Sequence, residues 1–402
     1  MDVELVAPDG RLRIAVLGDF DGVHTRSWLR WFIERGHDVH AISYYPLAAP
    51  LDGVTLHVLR NRARPTQPPG TRTRSDRQRI AVPRSILRLA HGVRYQAAGL
   101  RRVLREIRPD VFHAHFLVEH GFYGALAGFH PYVITAWGSD VLVEPQRDPV
   151  SKLIARWALR HADLVTSNNA YMAERIVALG AARSKIEVVT LGADRFFLER
   201  FHASVNVLPP DPARAAVVLS TRAHEPLYNI GEIIDAYEQV ARARHDVRLV
   251  IAHSGSLTAD LTRRAAASAG RIEFIGFVGR EALRQAMTEA DVFVSVPSSD
   301  GTSVALLQAL AAGCFPIVSD LPTQRELIED GVNGFRVPLH RPDLLAGRIK
   351  QALGDSDLRR SAAERNRAIV SERGLNENEM LKMEALYRQL ADHKGGAANA
   401  ER

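Results

Sequence analysis

One cysteine, Cys314, stands in a chain of 402 residues. That scarcity excludes an internal disulfide and any cysteine-built zinc site, and it suits a reducing compartment. Within "AAGCFPIV" the residue reads as a small buried hydrophobe. No run of about 18 apolar residues occurs, and "MDVELVAPDGRLRI" lacks the basic-then-apolar order of a signal peptide. Neither a membrane span nor secretion is expected, so the expected location is cytoplasmic. The G-x-G-x-x-G spacing is missing after the first apolar strand, which removes the dinucleotide fingerprint. Lysine is absent from Arg60 to Arg108, where fourteen arginines face only Asp76 and Glu106 as acids. A region so basic is suited to phosphates, to a charged acceptor or to peripheral contact with the inner face of an anionic membrane. It carries too few interleaved aromatics for a nucleic-acid surface to be expected.

What remains is ordinary globular material, 46% hydrophobic and 24% charged, in a chain longer than one core usually supports. Short apolar segments alternate with amphipathic ones. "RIAVLG", "DVHAIS", "VTLHVL", "VFHAHF", "YVITAW", "DLVTSN" and "IEVVTLG" read as strands, then "AVVLST", "VRLVIAHS", "IEFIGF", "VFVSVP" and "FPIVSD". Helical stretches separate them, closed by glycines such as Gly36 and Gly180. This is the pattern of parallel sheets with crossover helices. The proline-bearing stretch "FLERFHASVNVLPPDPARA" interrupts the alternation and reads as a linker. The expected fold is therefore α/β, with two doubly wound, Rossmann-like domains facing across a cleft. Ligands of such sheets bind at the carboxyl ends of the strands. "ARPTQPPGTRTRSDRQR" reads as a long loop. The helix after it places Ile86, Leu89, Ala90, Val93, Ala97, Leu100 and Leu104 on one face, opposite a basic one.

The most informative stretch is "SSDGTSVALLQALAAGCFPIVSD". If "VFVSVP" is a strand and "SVALLQALAAG" a helix, the N–H groups near Thr302, Ser303 and Val304 lie unpaired at a positive helix end, where a phosphate fits. Gly301 allows close approach. Asp300 accepts hydrogen bonds from sugar hydroxyls. Gln308 cannot titrate, so the two are binders rather than an acid and base pair.

This segment, continued through "LPTQRELIEDGVNGFRV", resembles the donor-site segment of the family-four retaining glycosyltransferases, which have the GT-B fold. "RIAVLGDFDGVHTRSWLRWFIERGHDVHAIS", "VFHAHFLVEHGFYGAL", "VITAWGSDVL", "ADLVTSNNAYMAERIVALGAARSKIEVVTLGAD" and "STRAHEPLYNIGEIIDAYEQV" fall in the family's order over about residues 11 to 353. The resemblance implies an N-terminal acceptor-side domain over residues 1–205 and a donor domain over 206–373, with a last helix from about 374 to 402 packing back on the first. It implies transfer of a sugar from a nucleotide-diphosphate donor, UDP foremost, to an acceptor hydroxyl, with retention and without a metal or other cofactor.

Asp300 takes the place of the family's first Glu and Gln308 that of the second, which holds the ribose. The amides of Gly301, Thr302, Ser303 and Val304 then face sugar and distal phosphate, and Glu326 falls near the donor. Arg222 matches the phosphate-binding arginine, while Leu227 stands near the place of its usual lysine partner. Arg26, Lys152 and His253 are the remaining cationic candidates for that role. His115 matches the histidine near the anomeric centre, with His113 one step deeper on the same face. With Arg222 and Asp300 it forms the expected catalytic set. Gly18 and Gly22 match the loop facing the diphosphate; His24, Trp137 and Asp140 line the acceptor side, where Asp140 either orients a hydroxyl or caps the following segment. "DFD" imitates a metal-binding pair of the other glycosyltransferase fold, and no metal is expected there. Two departures, Gln308 and the missing lysine, keep two alternatives open: a catalytically weak nucleotide-sugar binding protein and a nucleotide-sugar epimerase.

Overall fold

The computed structural model describes residues 10–59, 82–208, 211, 213–268 and 270–400, with side chains omitted for Val23, 82–94 and 394–400. The chain forms two compact units. One comprises Met1–Asn168, Met172–Val189 and Lys382–Arg402, the other Asn169–Tyr171 and Thr190–Leu381.

The first unit holds seven strands: β1 (Arg13–Leu17), β2 (Asp38–Ser43), β3 (Thr55–Val58), β4 (Val111–His115), β5 (Tyr132–Thr135), β6 (Leu164–Ser167) and β7 (Ile186–Val188), in the order β3-β2-β1-β4-β5-β6-β7. Neighbours pair in parallel, for example Ile14 with Val39 on one side and with Val111 on the other. Every residue of β4, β5 and β6 is buried, as expected where helices cover both faces of a parallel sheet. Both glycine stops act as read. Gly36 (φ +80°) and Gly180 (φ +107°) donate to Ile33 and Val177 after the helices Val23–Glu34 and Ala170–Ala178. A left-handed φ there favours glycine.

The second unit holds β8 (Ala216–Ser220), β9 (Val247–Ala252), β10 (Arg271–Gly276), β11 (Val292–Ser295), β12 (Phe315–Ser319) and β13 (Phe335–Val337), all parallel, in the order β10-β9-β8-β11-β12-β13. Alternate residues feed two cores. Val218, Val292, Val294 and Ile317 pack on one face, and Val217, Leu219, Phe293 and Val318 on the other, following the period of two along a strand.

The stretch read as a linker belongs to the second unit. Phe197 and Phe201 are buried, and the Asn206 amide donates to the carbonyls of Ala290, Asp291 and Gly313. The chain therefore leaves the first unit at Val189, earlier than the expected 205. Its proline content suggested a solvated connection, but two aromatic anchors and a polar clamp hold it against the core.

The arginine-bearing loop lies outside the described residues, as do the side chains of Ile86, Leu89, Ala90 and Val93. The helix Val82–Ile107 is present, with Ala97, Leu100 and Leu104 buried and Arg102 and Arg105 exposed. Among the described residues no helix is long and apolar enough to cross a membrane.

Candidate functional site

In the second unit the order of strands reverses between β8 and β11, which lie side by side. Loops leave such a switch point in opposite directions and open a crevice at the strand ends. Arg222 follows β8, and the turn from Ser298 to Ser303 follows β11. Ser303 caps the helix Val304–Ala311, its hydroxyl accepting from the Leu306 N–H at 3.3 Å. The helix thus begins where the sequence placed it, leaving its first N–H groups without intrahelical partners.

Arg222 joins the two loops. Its Nη2 donates to Asp300 Oδ2 at 2.8 Å and its Nη1 to the Ser303 hydroxyl. Both partners of the ion pair are largely buried, their side chains 10% and 17% exposed. Burial pushes the Asp300 carboxyl above its usual range, against the pull of Arg222 and of the Gly301 N–H. The guanidinium also lies 4.4 Å from the centre of the Tyr228 ring, a cation–π contact that fixes its plane. With two of its five N–H donors engaged, three remain for an oxyanion. Thr323 donates to the Asp300 carbonyl at 3.0 Å, and the Asn169 amide to the Thr302 hydroxyl at 3.3 Å. Gln308 is half-buried one turn beyond Val304. Leu227, where the lysine was expected, is partly exposed in a short turn Pro226–Tyr228.

Glu326 caps a backbone segment. Its carboxylate accepts the backbone N–H of Tyr171 at 2.7 Å and of Ala170 at 3.2 Å, two charge-assisted bonds that tie residues 170 and 171 to it.

In the first unit the reversal falls between β1 and β4. Gly18 follows β1, and a Cβ there would meet Thr25 and His115 at 3.4 and 3.5 Å, ordinary contact distances. Gly22 ends the loop as the residue before the helix Val23–Glu34, with extended backbone. The "DFD" carboxylates serve the turn: Asp19 accepts the Asp21 N–H and Asp21 the Ala48 N–H. Arg26 likewise donates to the carbonyls of Phe20, Ala49 and Pro50. Among the described residues no group of three His, Cys, Asp or Glu is placed to hold a metal ion.

His115 ends β4 and is 2% exposed. Its ring packs against Trp28 at 5.1 Å and Trp137 at 5.4 Å between centroids. Both ring nitrogens are buried without a hydrogen-bond partner. Burial first, and then the neighbouring His120, lower its pKa to about 3. The imidazole is neutral, with one donor and one acceptor uncommitted. His113, one step deeper, is satisfied instead: its nitrogens meet the Tyr387 hydroxyl and, at 2.7 Å, the Thr135 hydroxyl. His24 is exposed and stacks on Trp137 at 5.8 Å.

Asp140 takes the capping role of the two that its position offers. It is fully buried, and its oxygens accept the N–H groups of Leu117 at 2.8 Å, Gly138 at 2.8 Å and Trp137 at 3.1 Å. It builds the loop that carries Trp137. Beside it Glu144 has a pKa raised to about 7, chiefly by burial and then by Asp140 and Glu119. A raised folded-state pKa favours the protonated form. The resulting stability is present below pH 4.5, the ordinary value, and is lost as pH rises through 7. Glu144→Gln is therefore expected to raise the melting temperature above pH 7 and to leave it unchanged below pH 4.5. Melts across that range check this.

Three contributors escaped the sequence reading: Tyr228, Trp28 and Tyr387. Nothing in their spacing marks them, because ring stacking on Arg222, His113 and His115 depends on tertiary placement.

Two α/β units, each with polar side chains gathered at its switch point, form a fold built to bind ligands at the strand ends. The profile of the family described as glycosyl transferases group 1 matches residues 210–369, and that of glycosyl transferase 4-like proteins matches residues 13–169. The chain belongs to the family-four glycosyltransferases, enzymes with the GT-B fold. It is 34% identical over 139 residues to the phosphatidyl-myo-inositol mannosyltransferase of Mycobacterium tuberculosis, a match spanning 34% of this chain and 36% of that protein. It is 25% identical over 364 residues to the amylovoran biosynthesis glycosyltransferase AmsK of Erwinia amylovora, covering 81% of this chain and 86% of that one. Among solved structures, Anabaena HepE in complex with UDP-glucose superposes with a TM-score of 0.72 at 17% identity, over 94% of this chain and all of that one.

Proposed function

We propose that the protein moves a hexosyl group from a nucleoside diphosphate sugar to an acceptor hydroxyl with retention of anomeric configuration. The observation that carries this reading is Arg222, locked by Asp300 and Ser303 above the first turn of the helix Val304–Ala311. Transfer breaks the anomeric bond to the diphosphate, so negative charge grows on the departing phosphate while the sugar gains oxocarbenium character. A fixed guanidinium, the N–H groups of residues 301 to 304 and a positive helix end are already aimed at such a charge and do not reorganise. Asp300 accepts from sugar hydroxyls, and Gln308 offers an acceptor and two donors to the ribose. Gly18 and Gly22 leave room for the diphosphate. His115 contributes a neutral N–H or lone pair to the sugar, and His24 and Trp137 present a stacked ring surface to the acceptor. With no dedicated nucleophile assigned, the acceptor hydroxyl attacks from the leaving-group face. The donor nucleoside is uridine on this reading, supported by the UDP-glucose complex of a protein with this fold.

Since His115 is neutral down to about pH 3, turnover across about pH 5 to 8 is expected to show no step from this residue. His115→Ala should lower the rate and keep the shape of the profile; a changed shape contradicts the role. The reading as a whole is tested by incubating the protein with UDP-, GDP- and ADP-sugars and a panel of hydroxyl acceptors, following nucleoside diphosphate release and the anomeric signals of the product by NMR. Acceptor-dependent release and a product of the donor's configuration are expected. An inverted product overturns retention, binding without turnover favours a binding protein, and acceptor-free conversion of the donor sugar favours an epimerase.

A further inference from the structure

A cleft of about 520 Å³ opens in the first unit between the start of the helix Pro149–His161 and the end of the helix Ala170–Ala178. Three cations, Arg147, Lys152 and Arg175, line it. Among the described residues none of their side chains makes a hydrogen bond or ion pair. The acid beside them, Asp148, is committed to the Ser151 N–H and hydroxyl at 2.8 Å each, as the cap of the helix. Glu144 also feels Arg147, but it is half-buried in a setting that favours its neutral form. The wall therefore carries a net positive charge, with three cations against the Asp148 carboxylate.

A second observation lies on the same helix. Val150 and Leu153 are each 64% exposed, one turn apart and so on one face. Lys152, Arg156 and Arg160 follow one another at intervals of four along an adjoining exposed stripe. A free phosphate would have no use for two protruding apolar side chains. A bilayer surface has use for both, because apolar residues enter the boundary between headgroups and acyl chains while cations meet lipid phosphates.

We propose that this face is an interfacial docking surface for a membrane containing anionic phospholipid, whose headgroup phosphate enters the cleft beside Lys152 and Arg175 while Val150 and Leu153 insert. The arginine-rich stretch around residues 60–81 lies outside the described residues. Docking here would present the unit to lipid-borne acceptors.

The test uses the full chain and vesicles of phosphatidylcholine with or without phosphatidylglycerol, measured by co-sedimentation. Binding to the anionic vesicles alone is expected. Lys152→Ala should weaken it about fivefold, the effect of one surface cation at an anionic membrane. The pair Val150→Ser with Leu153→Ser should weaken it about tenfold or more through lost apolar insertion. Circular dichroism and melting temperature confirm that these exposed substitutions leave the fold intact. As an independent readout, Leu153→Trp should shift its emission to the blue with anionic vesicles only. The proposal is overturned if both variants bind as the parent does, which would place contact elsewhere, or if no vesicle binds. It is equally overturned if inorganic phosphate raises the melting temperature of the parent but not of Lys152→Ala while vesicles have no effect, which would mark a site for a free anion.

Discussion

Arg222→Ala is expected to lower the turnover number for sugar transfer by about 10²- to 10³-fold, the usual consequence of removing one preorganised donor from a developing negative charge. The expectation rests on two features of this chain. Leu227 stands near the place of the lysine that the resemblance pairs with Arg222, and the guanidinium lies beside the turn that follows β11. It is also rigid, tied to Asp300, to Ser303 and to the face of Tyr228, so little energy is lost in orienting it when charge develops. The loss should appear mainly in the turnover number, because the interaction strengthens as the phosphate departs. Arg222→Lys keeps the charge without the fork and should fall between the two. Steady-state kinetics at saturating donor check this. A parental rate in Arg222→Ala would remove the residue from the mechanism.

Asp140→Ala should damage the fold rather than the chemistry. The side chain is fully buried and satisfies the N–H groups of Leu117, Trp137 and Gly138. Removing it leaves those donors unpaired, at about 1–3 kcal/mol apiece. A total of about 3 kcal/mol or more corresponds to a fall in melting temperature of roughly 6–12 °C for a unit near 200 residues. Burial also raises the Asp140 pKa against the pull of these same N–H groups, so the isosteric Asp140→Asn, which retains one acceptor oxygen and never ionises, should be milder. Scanning calorimetry of both variants decides. Equal and small shifts would show that the loop holds Trp137 by other means.

The contrast between these two residues shows what the sequence carried. Arg222 and Asp300 were legible as site candidates, Asp300 from the turn ahead of a helix end and Arg222 from the resemblance, but their ion pair was not read. The start of the helix at Val304 was legible from the strand, turn and apolar run around it, whereas the capping bond of Ser303 was not read. Which role Asp140 and Glu326 play was not decided by the sequence, because a carboxylate in a loop looks the same whether it meets a ligand or a row of backbone N–H groups. Only tertiary placement reveals which. Phe197 and Phe201 show the same limit for the fold: prolines and charges nearby suggested a solvated linker, yet the rings are buried in the second unit. β13, three residues long, escaped because so short a segment between turns carries no periodicity. The neutrality of His115 was likewise out of reach, since it follows from burial among Trp28, Trp137 and His120.

The most direct test of the central claim is a crystal structure of the protein soaked with UDP. The diphosphate is predicted to lie against the N–H groups of residues 301 to 304, with Arg222 in contact with its distal phosphate. A diphosphate seated anywhere else, with that turn untouched, would contradict the account.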